Sequence, residues 1–380
     1  MKMRSSAAVL NRTVLTMPIP NYQSRIANAQ ALMRSHGMEA LLVFSAENLR
    51  YLTGYTGEAA YGVLASHTLH LITDYRFVEQ ANADCLHCTV ICRDREKTTL
   101  AEVIGEVLGN AAVSRVAVES EHLSLDLFTK IQHHFQPITL VPINGIVEGL
   151  RACKDEWEVA QIRRAAQIAD QALEALVAQI RLGVSERDLA MELAYLMRAK
   201  GADDLAFPII IGFGENSAKP HCVPGYRALK EGDFVLIDFG AMINGYRSDM
   251  TRTFVAGEPT EQQLSMMGTV LRAQEAAIAS TRAGVSGQQI DREARRIIDR
   301  SPFAHYAGKG LGHGVGLKLH EHPFLGQRCE DTLHTGFVVT IEPGIYIPGV
   351  GGVRYEDDVL VGEAGASCLT HAPKFFQISV

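Results

Sequence analysis

The sequence has no excess of positive charge, no long apolar run and no even-numbered, closely spaced set of cysteines, and each absence removes a class of protein. A formal charge of -7 at pH 7, from 43 acidic and 36 basic residues, leaves no electrostatic footprint for nucleic acid. No apolar segment approaches the length of a membrane span, and the short run after Met1-Lys-Met-Arg4 is broken by Asn11 and Arg12, which makes a poor signal peptide. The expected setting is the cytoplasm, away from membranes. Seven cysteines scattered from Cys85 to Cys368 fit reduced thiols rather than a disulfide framework. Cys85, Cys88 and Cys92 have no second pair at zinc-site spacing, and Cys88-Thr-Val-Ile-Cys92 reads as a strand. What is present is an ordinary globular composition, 47% apolar and 21% charged over 380 residues, with ample chain to build a core.

That length favours two domains. Residues 22 to 37 have Ile26, Ala29, Leu32 and Met33 at helical spacing. Ala40–Phe44, Leu69–Thr73, Val90–Cys92 and Arg115–Val118 are short apolar runs of parallel-strand type between helical patterns. The result is an α/β domain over 1–148. Within it Asn48–Gly54 and Thr73–Phe77 place polar groups at strand ends, where sites often sit and where loop capping accounts for them equally well. Between Val141 and Asp155 the pattern becomes charged and strongly helical, which opens a second domain over 149–380. An internal repeat runs through it: 172–193 aligns with 273–294, including Arg181-x-Gly-Val-Ser185 with Arg282-x-Gly-Val-Ser286. Each copy reads as a helix, a turn with serine as N-cap and a second helix, followed by sheet-like sequence. A pseudo-symmetric α+β domain with its site between the halves is expected.

Residues 233–255 carry two carboxylates where a strand should be apolar. Asn244-Gly245 signals a type I′ hairpin turn, because both central residues need φ > 0. If Ile243 pairs with Tyr246, Asp238 faces Thr251 and Asp249 faces Gly240, whose missing side chain leaves room for a shared ion. The two aspartates are then diagonal neighbours about 7 to 8 Å apart at Cα. Buried like charges at that distance need a counter-charge.

A second pair follows. Phe337–Ile341 leads into Glu342-Pro-Gly, Val353–Val359 returns after a glycine-rich turn, and Glu342 and Glu356 are equidistant from Gly349. A hairpin centred there sets them opposite each other. Arg354 shares the Glu356 face by strand alternation and serves as a carboxylate partner behind the site, as does Thr251 from its place across from Asp238. In the glycine-rich segment 308–323, with no Gly-Lys-Ser/Thr and no strand–Gly-x-Gly-x-x-Gly–helix unit, a phosphate loop is excluded. His313 and His320 are its candidates for ligand and acid–base roles. Four carboxylates and a histidine exceed the needs of one catalytic zinc and suit two ions about 3.5 to 4 Å apart. Oxygen-rich ligation favours Mn2+, and the imidazole keeps Zn2+ and Co2+ in play.

In the settings Ile-Asp-Phe-Gly, Ser-Asp-Met-Thr-Arg-Thr, Gly-His-Gly-Val-Gly, Ile-Glu-Pro-Gly and Arg-x-Glu-Asp, the residues Asp238, Asp249, His313, Glu342 and Glu356 resemble the pita-bread metallopeptidases. The similarity is to the branch containing Xaa-Pro dipeptidase (prolidase) and aminopeptidase P, and it covers the chain from about residue 150 onward. The preceding domain, with Tyr-Leu-Thr-Gly and Thr-Asp-Tyr-Arg, is similar to a creatinase-like N-terminal domain. The resemblance implies that Asp249 and Glu356 bridge the two ions, that Asp238 completes one coordination sphere and that His313 and Glu342 complete the other. It further implies that Glu342 is the general base, that His221 and His320 orient the substrate and stabilise the tetrahedral intermediate, and that Tyr346 contacts substrate. Small peptides with proline after the scissile bond, and a homodimer, are its implied partners. Prolidase-type dipeptidase leads, aminopeptidase P on longer peptides is the alternative, and a non-catalytic binding protein on this fold is a remote one. The chain departs from the family pattern at Phe324, where arginine is common after His-Glu-x-Pro, and at Ile243, where tyrosine is common.

Overall fold

The computed structural model describes residues 20–374 apart from 112 and 136, so the signal-peptide reading of the first residues lies outside the described residues. α1 (Tyr22–Ser35) is opened by the Asn21 side chain, which accepts from the Ser24 amide. Then come β1 (Ala40–Val43), α2 (Ala46–Thr53), β2 (Tyr61–Ala65), β3 (Leu69–Asp74), α3 (Val78–Asp84) and β4 (Thr89–Arg93). α4 (Leu100–Asn110), β5 (Arg115–Val118), α5 (Leu125–His134), β6 (Thr139–Pro142) and α6 (Ile146–Ala152) complete this half. The strands form one sheet in the order β4-β3-β2-β1-β5-β6. It is mixed rather than parallel, since β2 runs antiparallel to both β1 and β3 while the other pairs are parallel. Hydrophobic pattern does not report strand direction, which is set by the connections. Asn48 and its neighbours, expected at a strand end, form helix α2 instead, capped by Ser45 and ended by Gly54 at φ 80°. Asp74, at the end of β3, closes its own turn by accepting from the Arg76 amide and guanidinium.

The second half opens with α7 (Glu156–Val177) and α8 (Glu186–Ala199). It continues through β7 (Asp204–Leu205), β8 (Ile210–Phe213), β9 (Phe234–Phe239), β10 (Ala241–Ile243), β11 (Tyr246–Arg247) and β12 (Met250–Val255). α9 (Glu261–Ser280) and α10 (Gly287–Ile298) lead into β13 (Gly310–Gly314), β14 (Glu321–Gly326) and β15 (Val338–Ile341). β16 (Gly344–Ile347), β17 (Gly351–Arg354), β18 (Asp357–Val361) and β19 (Ala366–Cys368) follow.

The repeat is real in three dimensions. Ser185 and Ser286 cap α8 and α10, accepting from the Asp188 and Gln289 amides, and each cap contributes about 1 kcal/mol. The preceding Gly183 and Gly284, with φ of 84° and 83°, donate to the carbonyls of Leu229 and Leu333 at 2.9 Å each. Asp238 and Glu342 follow those leucines at the same remove, 229 to 238 and 333 to 342. The strand order β12-β9-β8 is matched by β18-β15-β13. Leu173, Leu189 and Ile237 belong to the core under the first helix pair, and Val270, Ile290 and Val339 to the core under the second. A third core, with Leu52, Ile162, Tyr246, Val315 and Val338, binds the N-terminal half to the second. Each such fully buried side chain contributes about 1.5–3 kcal/mol. Among the described residues no helix is long and apolar enough to cross a membrane.

Candidate metal centre

The Asn244-Gly245 turn fixes the first hairpin as expected. Asn244 and Gly245 have φ of 49° and 78°, Ile243 pairs with Tyr246, and Asp238 faces Thr251. Between the two ladders the pairing is interrupted at Gly240, Ser248 and Asp249. Gly240 does not make room for an ion. A Cβ there would lie 1.8 Å from the Ser248 carbonyl oxygen, so the glycine permits the backbones to close up at the break. Asp249 lies in that break, buried, and its amide donates to Asp358 Oδ2 at 2.9 Å.

The second hairpin repeats this arrangement. Gly344 pairs with Arg354 and Ile341 with Asp357 in one continuous register, and Glu342 and Glu356 fall opposite each other in the gap between those ladders. Gly349, at φ 77°, centres the turn.

His313, on β13, completes the cluster. Its Nδ1 lies 3.0 Å from the Gly314 carbonyl, which fixes the proton on that nitrogen and leaves the Nε2 lone pair facing the acids. Nε2 is 3.4 Å from Glu342 Oε1 and 3.6 Å from Asp249 Oδ2. One donor atom each from Asp249, His313 and Glu356 lie within 4.8 Å of one another, all three residues buried. The electrostatics are those of a site short of positive charge. Burial, then repulsion from the neighbouring acids, holds Asp249 and Glu356 well above the ordinary carboxylate range. Burial also raises Asp238 and pushes Glu342 up to about 7. Asp238 Oδ1 and Asp358 Oδ1 are buried without a hydrogen-bond partner. Crowded carboxylates, unpaired oxygens and one correctly oriented imidazole fit divalent cations of the Mn2+, Zn2+ or Co2+ type.

Behind the cluster, Arg354 joins the halves. Its guanidinium donates to Asp238 Oδ2 at 2.5 Å, Thr251 Oγ1 at 2.9 Å, the Tyr346 hydroxyl at 2.7 Å and the Pro220 carbonyl at 3.3 Å. The carboxylate it grips is therefore Asp238, not Glu356 as strand alternation suggested. The reason is the break after β17, which turns Glu356 out of alternation. Glu356 is held instead by the Thr251 hydroxyl at 2.6 Å.

The sequence pattern of metallopeptidase family M24 matches residues 160–363, and that of the creatinase/prolidase N-terminal domain matches residues 25–153. The chain belongs to family M24. A peptidase of Bacillus subtilis, YqhT, is 35% identical over 338 residues, covering 89% of this chain and 95% of that one. The structure of an Xaa-Pro dipeptidase from Bacillus anthracis superposes with a TM-score of 0.90 at 34% identity, over 94% of this chain and 99% of that one. That of an X-Pro aminopeptidase from Thermotoga maritima gives 0.84 at 34% identity, over 91% and 99%.

In this M24 chain the other expected residues gather at the same place. The His320 ring stands 4.3 Å from that of His313, nearly perpendicular, and partial burial with the neighbouring imidazoles lowers its pKa. His221, exposed, follows Pro220 and lies near enough for its charge to act on Asp238, Glu342 and His320. Tyr346 is tied to Arg354. Phe324, 57% exposed, sits directly across β13–β14 from His313. Asp358 is the one member of the cluster without an expected role. Its signal was present, a third acid in the run Glu356-Asp357-Asp358 inside an otherwise apolar strand. Asp357 has a different job, neutralised by Arg252 and Lys374 away from the cluster.

Proposed function

We propose that this chain is a metal-dependent peptidase that hydrolyses Xaa-Pro bonds, as a prolidase-type Xaa-Pro dipeptidase. The observation that carries the reading is the buried cluster of Asp249, His313 and Glu356 beside Asp238 and Glu342, excess negative charge with an imidazole aimed into it. These residues would hold two divalent ions, with Mn2+ best suited to the oxygen-rich set. Bound there, the ions supply Lewis-acid charge and lower the pKa of water from about 15.7 toward 7. Glu342 would take the proton of the attacking water and return it to the departing proline nitrogen. His320 and His221 donate to the developing oxyanion. An Xaa-Pro bond has no amide N–H, so nothing in the site has to accept one.

Aminopeptidase P activity is the second reading, favoured by one observation. Phe324, exposed and paired across β13–β14 with His313, stands where the family pattern commonly has arginine, so that position offers no cation for the carboxylate of a dipeptide. Hydrolysis of Ala-Pro beside Ala-Pro-Ala by Mn2+-loaded protein decides between them. Cleavage of the dipeptide supports the first reading, cleavage mainly of the tripeptide supports the second, and cleavage of neither with metal bound refutes both. The same proposal includes domains at 1–148 and 149–380, a homodimer and a cytoplasmic setting.

The pH dependence follows from the raised carboxyls. Between about pH 4, where the unfolded carboxyls ionise, and about pH 7, the folded metal-free protein holds protons that the unfolded chain has released. Its stability therefore falls as pH rises through that window. Metal must displace those protons, so its stabilisation grows over the same window. The gap in Tm between Mn2+-loaded and metal-free protein is expected to widen from pH 5 to pH 8. Taking the gap cancels buried acids elsewhere, such as Glu119, so a constant gap contradicts the prediction.

A further inference from the structure

The segment between β13 and β14 carries His320 at its end, and a buried carboxylate holds its backbone from beneath. Glu321, the first residue of β14, is buried and folds back under residues 316–320. Its Oε2 accepts from the Lys318 amide at 3.4 Å, and its Oε1 fills the space beside Gly316, where a Cβ would lie 2.5 Å away. Two buried cations fix that carboxylate: Arg151 Nη2 at 2.5 Å from Oε2 and Lys154 Nζ at 2.7 Å from Oε1. Further anchors of the loop come from Arg247, whose amide and guanidinium donate to the Gly316 and Leu317 carbonyls, and from the His313 ring, which contacts the Leu319 backbone.

Arg151 is itself held from the N-terminal half. Its Nη1 donates to Asn48 Oδ1 at 2.8 Å, and the Asn48 amide donates at 2.6 Å to both Glu119 Oε1 and Glu148 Oε1. Glu119 Oε2 accepts from the amides of Phe44 and Ser45 at 2.7 and 2.8 Å, at the junction of β1 and α2. A continuous set of charge-assisted hydrogen bonds thus runs from the N-terminal sheet to the residue next to His320. The His320 side chain is exposed apart from its contact with the His313 ring, so the backbone beneath helps to set its place against His313.

We infer that Glu321 is a positioning residue for His320 and that Asn48 of the N-terminal half completes the device, an inference that rests on the peptidase reading for the role of His320. Ordinary domain cement would also use buried ion pairs, but cement has no reason to act through one histidine.

The test is a double-mutant cycle in the metal-loaded enzyme. Glu321→Gln is expected to lower kcat about ten- to a hundredfold with KM nearly unchanged, since misplacing a reacting group by about 1 Å costs up to that factor. Asn48→Ala is expected to lower kcat by a smaller factor in the same direction. In a His320→Ala background both are expected to have no further effect, with metal content unaltered throughout. Wild-type kcat in Glu321→Gln, an equal loss repeated on His320→Ala, or loss of metal overturns the inference. A readout independent of activity accompanies it: the His320 imidazole NMR signals of Zn2+-loaded protein, identified by their absence in His320→Ala. These are expected to shift or broaden in Glu321→Gln and Asn48→Ala. If no proline peptide is cleaved by the wild type, the functional reading fails and these signals alone decide, unmoved signals overturning the positioning role. Should Glu321→Gln not fold, Asn48→Ala, which leaves both cations on Glu321, carries the same comparison.

Discussion

Asp249→Asn is expected to raise the Tm of the metal-free protein while removing nearly all activity. Asp249 is the acid on which the others converge: Glu356, Asp238, Asp358 and Glu342 all act to raise its pKa after burial does. Near pH 8 its charge opposes folding of the metal-free chain, and a neutral amide of the same shape relieves that repulsion. With metal present the sign is expected to reverse, because the proposed reading makes Asp249 one of the residues that would hold the ions. Substitutions of groups behind a metal ligand typically cost 10–100-fold, so loss of the ligand itself is expected to exceed about a hundredfold in kcat/KM. Thermal denaturation with and without Mn2+, together with an Ala-Pro assay, checks both halves. A fall in metal-free Tm would mean that Asp249 is an ordinary stabilising carboxylate.

Arg354→Met is expected to do the opposite to the metal-free protein. The guanidinium is buried and binds four separate groups, so its removal strands Asp238 with neither oxygen paired, leaves Thr251 with its bond to Glu356 alone and takes the guanidinium from Tyr346 and the Pro220 carbonyl. Removing one partner of a buried pair costs about 3–5 kcal/mol, and metal-free Arg354→Met should melt well below wild type. Metal affinity should fall about 10–100-fold, since Asp238 loses the group that orients it. Arg354→Lys is not expected to rescue, because one ammonium cannot reproduce a planar fork shared among those partners. Denaturant midpoints and metal titration measure these effects. An unchanged midpoint in metal-free Arg354→Met would contradict the electrostatic description of the site.

The parts legible in the sequence were those set by local rules. A turn fixes a register, so Asn244-Gly245 and Gly349 were enough to place Asp238 opposite Thr251 and Glu342 opposite Glu356. Serine caps at Ser185 and Ser286 disclosed the repeated helix pairs. What depends on the chain leaving a regular ladder was not legible. Alternation put Arg354 with Glu356, but the break between β17 and β18 gave the arginine to Asp238 and Glu356 to Thr251. Gly240 was read as space for an ion and is instead space for a carbonyl. Long-range polar contacts were illegible for a different reason. Asn48, Glu119, Arg151 and Glu321 obey no period, and only the packed structure brings them together. Strand direction in the N-terminal sheet, where β2 is antiparallel, is likewise absent from the hydrophobic pattern.

The central claim is that the acids between the two hairpins exist to hold divalent metal. Metal content per chain, measured on protein purified without chelator and again after reconstitution with Mn2+, tests it most directly. The account predicts close to two ions per chain after reconstitution, with occupancy strongly reduced in Asp249→Asn. Purified and reconstituted protein that both hold no metal would contradict it, and with it the peptidase assignment.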